Sequence, residues 1–394
     1  MSVLAAVTPP VAPVGQQPIR VMIVDDAVVV RGLVSRWVDA EPDLTTVASV
    51  RTGQDALDEL EHADPEIVLL DVEMPVLDGI AALPLLLQKR SNLAVIMVST
   101  VTRRNAEVTL KALTLGAADY VPKPETNHEV TTSDSFRREL IEKIRQIGWR
   151  RRGRRFVPPS FVAPRPRKAF TVEARLQDDI VQPLNAPQAP EIKLRPFSAT
   201  PPRVLLIGAS TGGPQALATV IASLGGVMDR APVLITQHMP PTFTTILAEN
   251  PTRSSGRPAH EAVDGEPILA GHIYLAPGGR HMRVARVNGT AVTQLDNGPP
   301  INFCKPSVDP LFATAAKVWG PWNLAVVLTG MGSDGTDGAA EIVAAGGNVV
   351  AQDEATSVVW GMPGSVAHAG HCSAILPLER IAGKVARLFC GDRA

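Results

Sequence analysis

The chain has 394 residues, is 45% hydrophobic and 4% aromatic, and carries a formal net charge of -1. At about 100–200 residues per domain, this length predicts two or three domains with sizeable cores. Near-neutral charge and few aromatics exclude a surface that gathers nucleic acid or an anionic membrane by bulk electrostatics and base stacking. Cys304, Cys372 and Cys390 show no CxxC spacing, and an odd count suits a reduced compartment better than a disulfide framework. No apolar run reaches the roughly 18 residues of a membrane helix, so no membrane insertion is expected.

The first segment, 1–17, has an Ala/Val run broken by Pro9, Pro10 and Pro13 and no basic stretch. It reads as a disordered tail rather than a signal peptide, and a cytoplasmic location is expected. From 18 to 147, short apolar runs at 19–24, 46–50, 67–70, 94–98 and 119–121 alternate with helical stretches. Five βα units in a row predict a parallel sheet covered by helices on both faces. The composition then shifts. Arg150, Arg151, Arg152, Arg154 and Arg155 cluster, and about ten prolines follow. The segment 148–202 reads as a Pro/Arg-rich, solvated linker. From 203 to 390 a second α/β pattern predicts buried strands at 204–207, 233–236, 273–275, 324–329 and 348–351.

Ligands of open parallel sheets bind beyond the carboxyl ends of the strands. In the first unit those ends carry Asp25 and Asp26, Asp71, Ser99 and Thr100, and Lys123. Crowded carboxylates repel, and a hard divalent cation with oxygen ligands relieves the repulsion, which points to Mg²⁺. A carboxylate beside the cation can attack a phosphoryl group while a lysine and a hydroxyl bind the phosphoryl oxygens. Taken alone, Asp25-Asp26 reads equally as helix caps; the set across four strand ends is what points to chemistry. The segment 19–124 resembles response-regulator receiver domains, through Asp25-Asp26, Asp71-Val72-Glu73-Met74-Pro75, Asp78-Gly79, Ser99 and Tyr120-Val121-Pro122-Lys123-Pro124. The resemblance implies that Asp71 is the phospho-acceptor. It implies that Asp25, Asp26 and Asp71, with the backbone carbonyl of Glu73, hold Mg²⁺. Ser99 and Lys123 would bind the phosphoryl group, and Tyr120 would be the switching aromatic, with simple core packing as its alternative.

In the second unit, Gly208-Ala209-Ser210-Thr211-Gly212-Gly213 follows a predicted strand and precedes a helix opened by Pro214. That is the setting of a nucleophile elbow, whose glycines allow the sharp turn and whose helix-start N–H groups can hold an oxyanion. A dinucleotide-binding turn would need G-x-G-x-x-G, and a nucleoside-triphosphate cradle would need Gly-Lys-Ser/Thr; neither is present. His238, at the end of the next strand, is the expected base, with His281 as its rival. Asp334, in a Gly-rich loop after the strand at 324–329, is the expected orienting acid, ahead of Asp337; capping its own helix is the alternative for Asp334.

The stretch 203–387 is similar to the catalytic domain of the CheB family, the chemotaxis protein-glutamate methylesterases. The likeness lies in 208–213, Gln237-His238-Met239-Pro240-Pro241-Thr242-Phe243, 276–282, Pro306-Ser307-Val308-Asp309, 328–335 and Trp360-Gly361-Met362-Pro363. It implies an α/β architecture: an N-terminal five-stranded parallel receiver, a linker and a C-terminal doubly wound α/β methylesterase domain. It implies a triad of Ser210, His238 and Asp334, with oxyanion donors near Thr211 and Met331. It implies no cofactor in the catalytic domain. The expected reaction is hydrolysis of glutamate methyl esters on the cytoplasmic helices of methyl-accepting chemoreceptors, with deamidation of receptor glutamines. A chemotaxis histidine kinase is the expected phosphodonor, and no nucleic-acid partner is expected. Departures from the family pattern are the long basic linker, the extra tail, Pro122, and Cys304-Lys305 before Pro306. A non-enzymatic response regulator and a hydrolase of another substrate are the alternative readings.

Overall fold

The structure, a computed structural model, describes residues 17–124, 133–153 and 192–392. Residues 1–16 of the expected tail and 154–191 of the expected linker lie outside the described residues. The N-terminal unit runs β1 (Ile19–Val24), α1 (Val28–Asp39), β2 (Leu44–Val50), α2 (Gly53–Ala63), β3 (Ile67–Asp71), α3 (Gly79–Lys89), β4 (Ala94–Thr100), α4 (Arg103–Thr114), β5 (Asp119–Lys123) and α5 (Asp134–Arg151). Its five strands pair in the order β2-β1-β3-β4-β5, all parallel. Helices cover both faces, so β3 is apolar until its terminal Asp71 and buried throughout. Side-chain caps start the helices where the sequence allows. Thr52 and Asp55 form a reciprocal capping box on α2, and Asp78, Thr102 and Ser133 cap α3, α4 and α5.

The C-terminal unit runs β6 (Val204–Ala209), α6 (Gly213–Ser223), α7 (Val227–Arg230), β7 (Val233–Gln237), α8 (Pro241–Ser255), β8 (Ala259–Glu261), β9 (Ile273–Leu275), β10 (His281–Val287), β11 (Thr290–Asp296), α9 (Val308–Trp319), β12 (Asn323–Val327), α10 (Thr336–Ala344), β13 (Asn348–Gln352), α11 (Gly361–His368), β14 (Ala374–Leu376) and α12 (Leu378–Phe389). Its seven-stranded sheet has the order β14-β13-β12-β6-β7-β9-β8, with every pair parallel. The chain leaves β6 toward β7 and later returns to β12 on β6's other side. The order therefore reverses beside β6, where doubly wound sheets place their ligands. The five strands expected for this unit are present. β8, β14 and the β10–β11 hairpin were not anticipated, although Asn288 and Gly289, both at positive φ, supply the usual two-residue hairpin turn.

The two units touch. α4 packs on α6 and α8. Tyr120 of β5 stacks on Phe243 of α8 with ring centroids 4.6 Å apart. Gln215 Nε2 donates to the Ala117 carbonyl at 3.0 Å. α5 runs to Arg151, so the stretch read as linker from 148 begins as helix. Arg150 and Arg152 are engaged rather than solvated, while Arg151 is exposed. Arg150 donates to the carbonyls of Ser357 (3.0 Å) and Ala355 (2.7 Å), and Arg152 Nε donates to Glu66 Oε1 at 2.6 Å. Arg154 and Arg155 lie outside the described residues. Among the described residues no helix is long and apolar enough to cross a membrane.

Lys143 ties α5 to β5. Its buried ammonium donates to the Tyr120 carbonyl at 2.6 Å and pairs with Asp119 at 2.9 Å and Glu139 at 3.0 Å. Removing one partner of a buried ion pair leaves the others desolvated and uncompensated. Lys143→Met is expected to destabilise the N-terminal unit by about 3–5 kcal/mol, read as an earlier unfolding transition in urea. An unchanged transition would show that Lys143 is not holding α5 on β5.

Candidate functional site

At the rim of the first sheet, Lys123 Nζ donates to Asp25 Oδ2 at 2.7 Å and to Asp71 Oδ2 at 3.3 Å. Asp71 Oδ1 accepts from the Val72 N–H at 2.9 Å, and Asp25 Oδ1 accepts from the Ala27 N–H at 2.9 Å. Oxygens of Asp25, Asp26 and Asp71 lie within 4.8 Å of one another, the outer one, Asp26, facing solvent. Burial pushes the Asp71 carboxyl up to about 7, with Lys123 opposing and Asp25 reinforcing the rise. One ammonium therefore undercompensates three carboxylates, and the all-oxygen donor set fits a hard divalent cation. Gly79 is required here: a Cβ on it would stand 2.1 Å from the Asp71 carbonyl oxygen. The β4–β5 register sets Ser99 opposite Pro122 and Thr100 opposite Lys123. Ser99 is fully buried and its hydroxyl donates to the Thr100 carbonyl at 3.4 Å. Glu73 follows on the β3–α3 loop with its side chain exposed. Tyr120, on β5 three residues before Lys123, is buried against Phe243.

The second rim brings together residues from β6, β7 and β12. Ser210 follows β6 in a tight turn: its N–H donates to the Thr329 carbonyl at 3.0 Å, and the Gly213 N–H donates to its carbonyl at 2.7 Å. Gly212 sits at φ 73°, and a Cβ on Gly213 would lie 1.9 Å from Gln237 Oε1. Gln237 uses its Nε2 to donate to the Ser210 carbonyl at 2.9 Å, lacing the ends of β6 and β7 together. His238, next in the chain, places Nε2 2.6 Å from Asp334 Oδ2. Among the described residues no hydrogen bond joins Ser210 Oγ to the imidazole; both line one cleft of about 870 Å³. Neither the Thr211 nor the Met331 N–H donates a hydrogen bond among the described residues.

Asp334 is buried, and its oxygens are saturated. Oδ1 accepts from the Ser307 hydroxyl (2.8 Å), the Asp309 N–H (3.1 Å) and the Gly335 N–H (2.9 Å), and Oδ2 accepts from the Val308 N–H (2.7 Å). It thus caps α9, a helix remote in sequence, while pairing with His238. Burial opposes ionisation, yet His238, the Val308 N–H and the Ser307 hydroxyl together hold this carboxyl well below the usual carboxylate range. Burial alone would lower the His238 imidazole. A thiolate at Cys304, joined by the Asp334 carboxylate, instead pushes it up to about 10. Asp337 is exposed on α10. His281 is committed elsewhere: its Nδ1 accepts from the Ser307 N–H at 3.1 Å, which leaves Nε2 to donate to the Pro299 carbonyl at 3.0 Å. The sequence reading gave no role to Ser307 or Cys304. Its place in the family-like stretch Pro306-Ser307-Val308-Asp309 was the available signal for Ser307.

The other wall of the cleft belongs to the N-terminal unit. Arg138, Glu142, Gln146 and Arg150 of α5, with Tyr120, face Ser210 and His238 across it.

These features have counterparts in known proteins. The response regulator receiver domain model matches residues 21–133, and the CheB methylesterase model matches 205–385. The chain is 59% identical over 394 residues to a Rhodopseudomonas palustris protein-glutamate methylesterase/protein-glutamine glutaminase of group 2 operon, covering 100% of both chains. It is 59% identical over 379 residues to the protein-glutamate methylesterase/protein-glutamine glutaminase of Nitrobacter hamburgensis, covering 96% of each. Among solved structures, the Thermotoga maritima CheB methylesterase catalytic domain aligns with 40% identity and a TM-score of 0.46, covering 48% of this chain and 100% of that one. Full-length identity at this level, with both domain models in sequence, establishes that the chain belongs to the CheB methylesterase family and carries an N-terminal response-regulator receiver domain.

Proposed function

We propose that the chain is a serine hydrolase that demethylates glutamate methyl esters on chemoreceptors, and deamidates receptor glutamines, when its receiver is phosphorylated. The observation that carries this reading is the 2.6 Å contact of His238 Nε2 with the ionised Asp334, in the cleft that Ser210 enters from the neighbouring strand. With Nε2–H donating to Asp334, Nδ1 is the base. Ser210 gives its proton to Nδ1 while Oγ attacks the ester carbonyl. The carbonyl oxygen becomes an oxyanion, for which the uncommitted N–H groups of Thr211 and Met331 are the donors. Nδ1–H then protonates the departing methoxide, and methanol leaves. Water, losing its proton to Nδ1, attacks the acyl-serine; the bond to Ser210 Oγ then breaks, Nδ1–H returns the proton to Oγ, and the glutamate carboxyl is freed. An amide follows the same path and releases ammonia. Asp334 keeps the ring in one tautomer and stabilises the imidazolium.

In the receiver, Asp25, Asp26 and Asp71, with the Glu73 carbonyl, would hold Mg²⁺, which neutralises phosphoryl oxygens. Asp71 is the nucleophile toward a phosphohistidine of a chemotaxis kinase. Lys123 and the Ser99 hydroxyl are the protein's donors to the transferred group. The wall that α5 and Tyr120 form opposite Ser210 supports occlusion of the cleft in the resting chain. The Tyr120–Phe243 stack and the Arg150 contacts are what phosphorylation would have to release.

Ser210→Ala and His238→Ala are each expected to lower turnover of a nitrophenyl acetate and of methylated receptor by roughly 10⁵–10⁶-fold, because the two act as one unit. Asp334→Ala should cost less, about 10⁴-fold. If folded His281→Ala is as damaging as His238→Ala, the choice of base is wrong. The base must be neutral to work, and the Asp334 carboxylate, with Cys304 when it is a thiolate, favours its charged form. The rising limb of kcat/KM should therefore lie at higher pH than an ordinary histidine gives, and Cys304→Ala should move it to lower pH. A limb that stays in place would detach Cys304 from the base. Finally, a small phosphodonor with Mg²⁺ should label Asp71 and accelerate the full-length chain, while Asp71→Asn abolishes both effects. A fragment starting near Thr200 should outpace the resting parent and ignore the phosphodonor. A folded fragment no faster than its parent would rule out occlusion.

A further inference from the structure

Between β11 and α9 the chain folds back on itself at the lip of the cleft. Ile301 and Cys304 pair antiparallel through two N–H···O bonds of 3.1 and 2.8 Å, leaving Asn302 and Phe303 as a two-residue turn. Both turn residues have positive φ, 49° and 65°. Asn-Gly fills such a turn without strain, and Asn302 tolerates the conformation. Phe303 does not: a bulky side chain at this φ is an outlier. Burial does not offset the strain, since Phe303 is 82% exposed. An unfavourable backbone under an exposed aromatic points to something the ring must touch.

Its position narrows the choice. Phe303 lines the same cleft as Ser210 and His238. Cys304, the next residue, lines it as well. The face of the Phe303 ring is taken by Arg138 of α5, with the guanidinium carbon 4.2 Å from the ring centroid. A methylated glutamate on a receptor helix must bring its helix across the mouth of this cleft to reach Ser210. Side chains one turn along that helix lie about 5–6 Å from the ester-bearing residue, within reach of a ring on the lip.

We propose that Phe303 is a docking residue for the receptor helix: its ring packs on an apolar side chain one turn from the methylated glutamate and fixes the register of the ester at Ser210. In the resting chain Arg138 lies over one face of the same ring, so the receiver and the receptor compete for it. This inference rests on the methylesterase reading above. It adds a contact that distinguishes a receptor helix from a small ester, which has nothing to lay on the ring.

The test compares full-length wild type, Phe303→Ala, Phe303→Gly and Phe303→Trp, each with a small phosphodonor and Mg²⁺. Methanol release from membranes carrying methylated receptor is measured beside hydrolysis of a nitrophenyl acetate, with thermal unfolding of each variant. The ratio of receptor to small-ester activity is expected to fall roughly ten-fold or more in the Ala and Gly variants, as for truncation of an aromatic contact residue. The fall should come mainly through KM for receptor, and Trp should restore the ratio. Phe303→Gly should unfold no earlier than Phe303→Ala, because both lose the ring and only glycine takes up the positive φ without strain. A ratio equal to wild type in Phe303→Ala overturns the inference. So does a Gly variant that unfolds earlier and loses both activities together, since Phe303 would then be structural. Wild type that cleaves the small ester but releases no methanol from receptor membranes would instead overturn the substrate reading on which the inference stands.

Discussion

A carboxylate that must stay ionised in a buried place organises the catalytic half of the molecule. Asp334 keeps its charge because four protein donors and an imidazole surround it. Each donor imposes a placement. The Val308 and Asp309 N–H groups require the start of α9 to point at the end of β12. The Ser307 hydroxyl must come within hydrogen-bonding distance, and its N–H is held by His281 at the head of β10. The hairpin, the helix and the central sheet thus meet on one anion, and the orientation of His238 follows from where that anion is fixed.

The receiver solves a related problem with the opposite bias. Its acids are undercompensated: Lys123 reaches Asp25 and Asp71, and burial still pushes Asp71 up to about 7. Excess negative potential suits a site that gathers a cation and then accepts a phosphoryl group, whereas a saturated carboxylate suits one that holds a base in one tautomer. Both designs exploit the same geometry, in which parallel strands deliver side chains to a common rim. That rim is also what lets one unit face the other's chemistry.

Most of the fold, and the gathering of the proposed site residues at two rims, was legible because those residues sit at strand ends, where apolar runs stop and polar residues begin. Asp71, Ser210 and His238 each follow a buried strand directly, and the β12 loop carries Asp334. What escaped the reading depends on pairings distant in sequence. Ser307 gains its role from Asp334, 27 residues later, and Arg150 becomes part of the domain contact only through carbonyls more than 200 residues away. The α5 helix could not be extended to Arg151 from local pattern, because the arginine cluster looks like linker until its acceptors are known. The β10–β11 hairpin was missed for another reason. One of its faces is open, so it lacks the continuous apolar run that marked the buried strands, and the Asn288-Gly289 turn was the only local cue.

Phe243 sits in the first turn of α8, five residues after His238, so the stretch that carries the proposed catalytic imidazole also carries the receiver's aromatic partner. Regulation and chemistry therefore share one short genetic target. A substitution at Phe243 that loosens the Tyr120 stack to raise resting output falls in the segment that also carries the imidazole, so the two properties are open to change together. Divergence among copies of such a protein is then easier on the receiver's side of the contact, at Tyr120 or along α5, where docking strength can drift while the histidine stays in place.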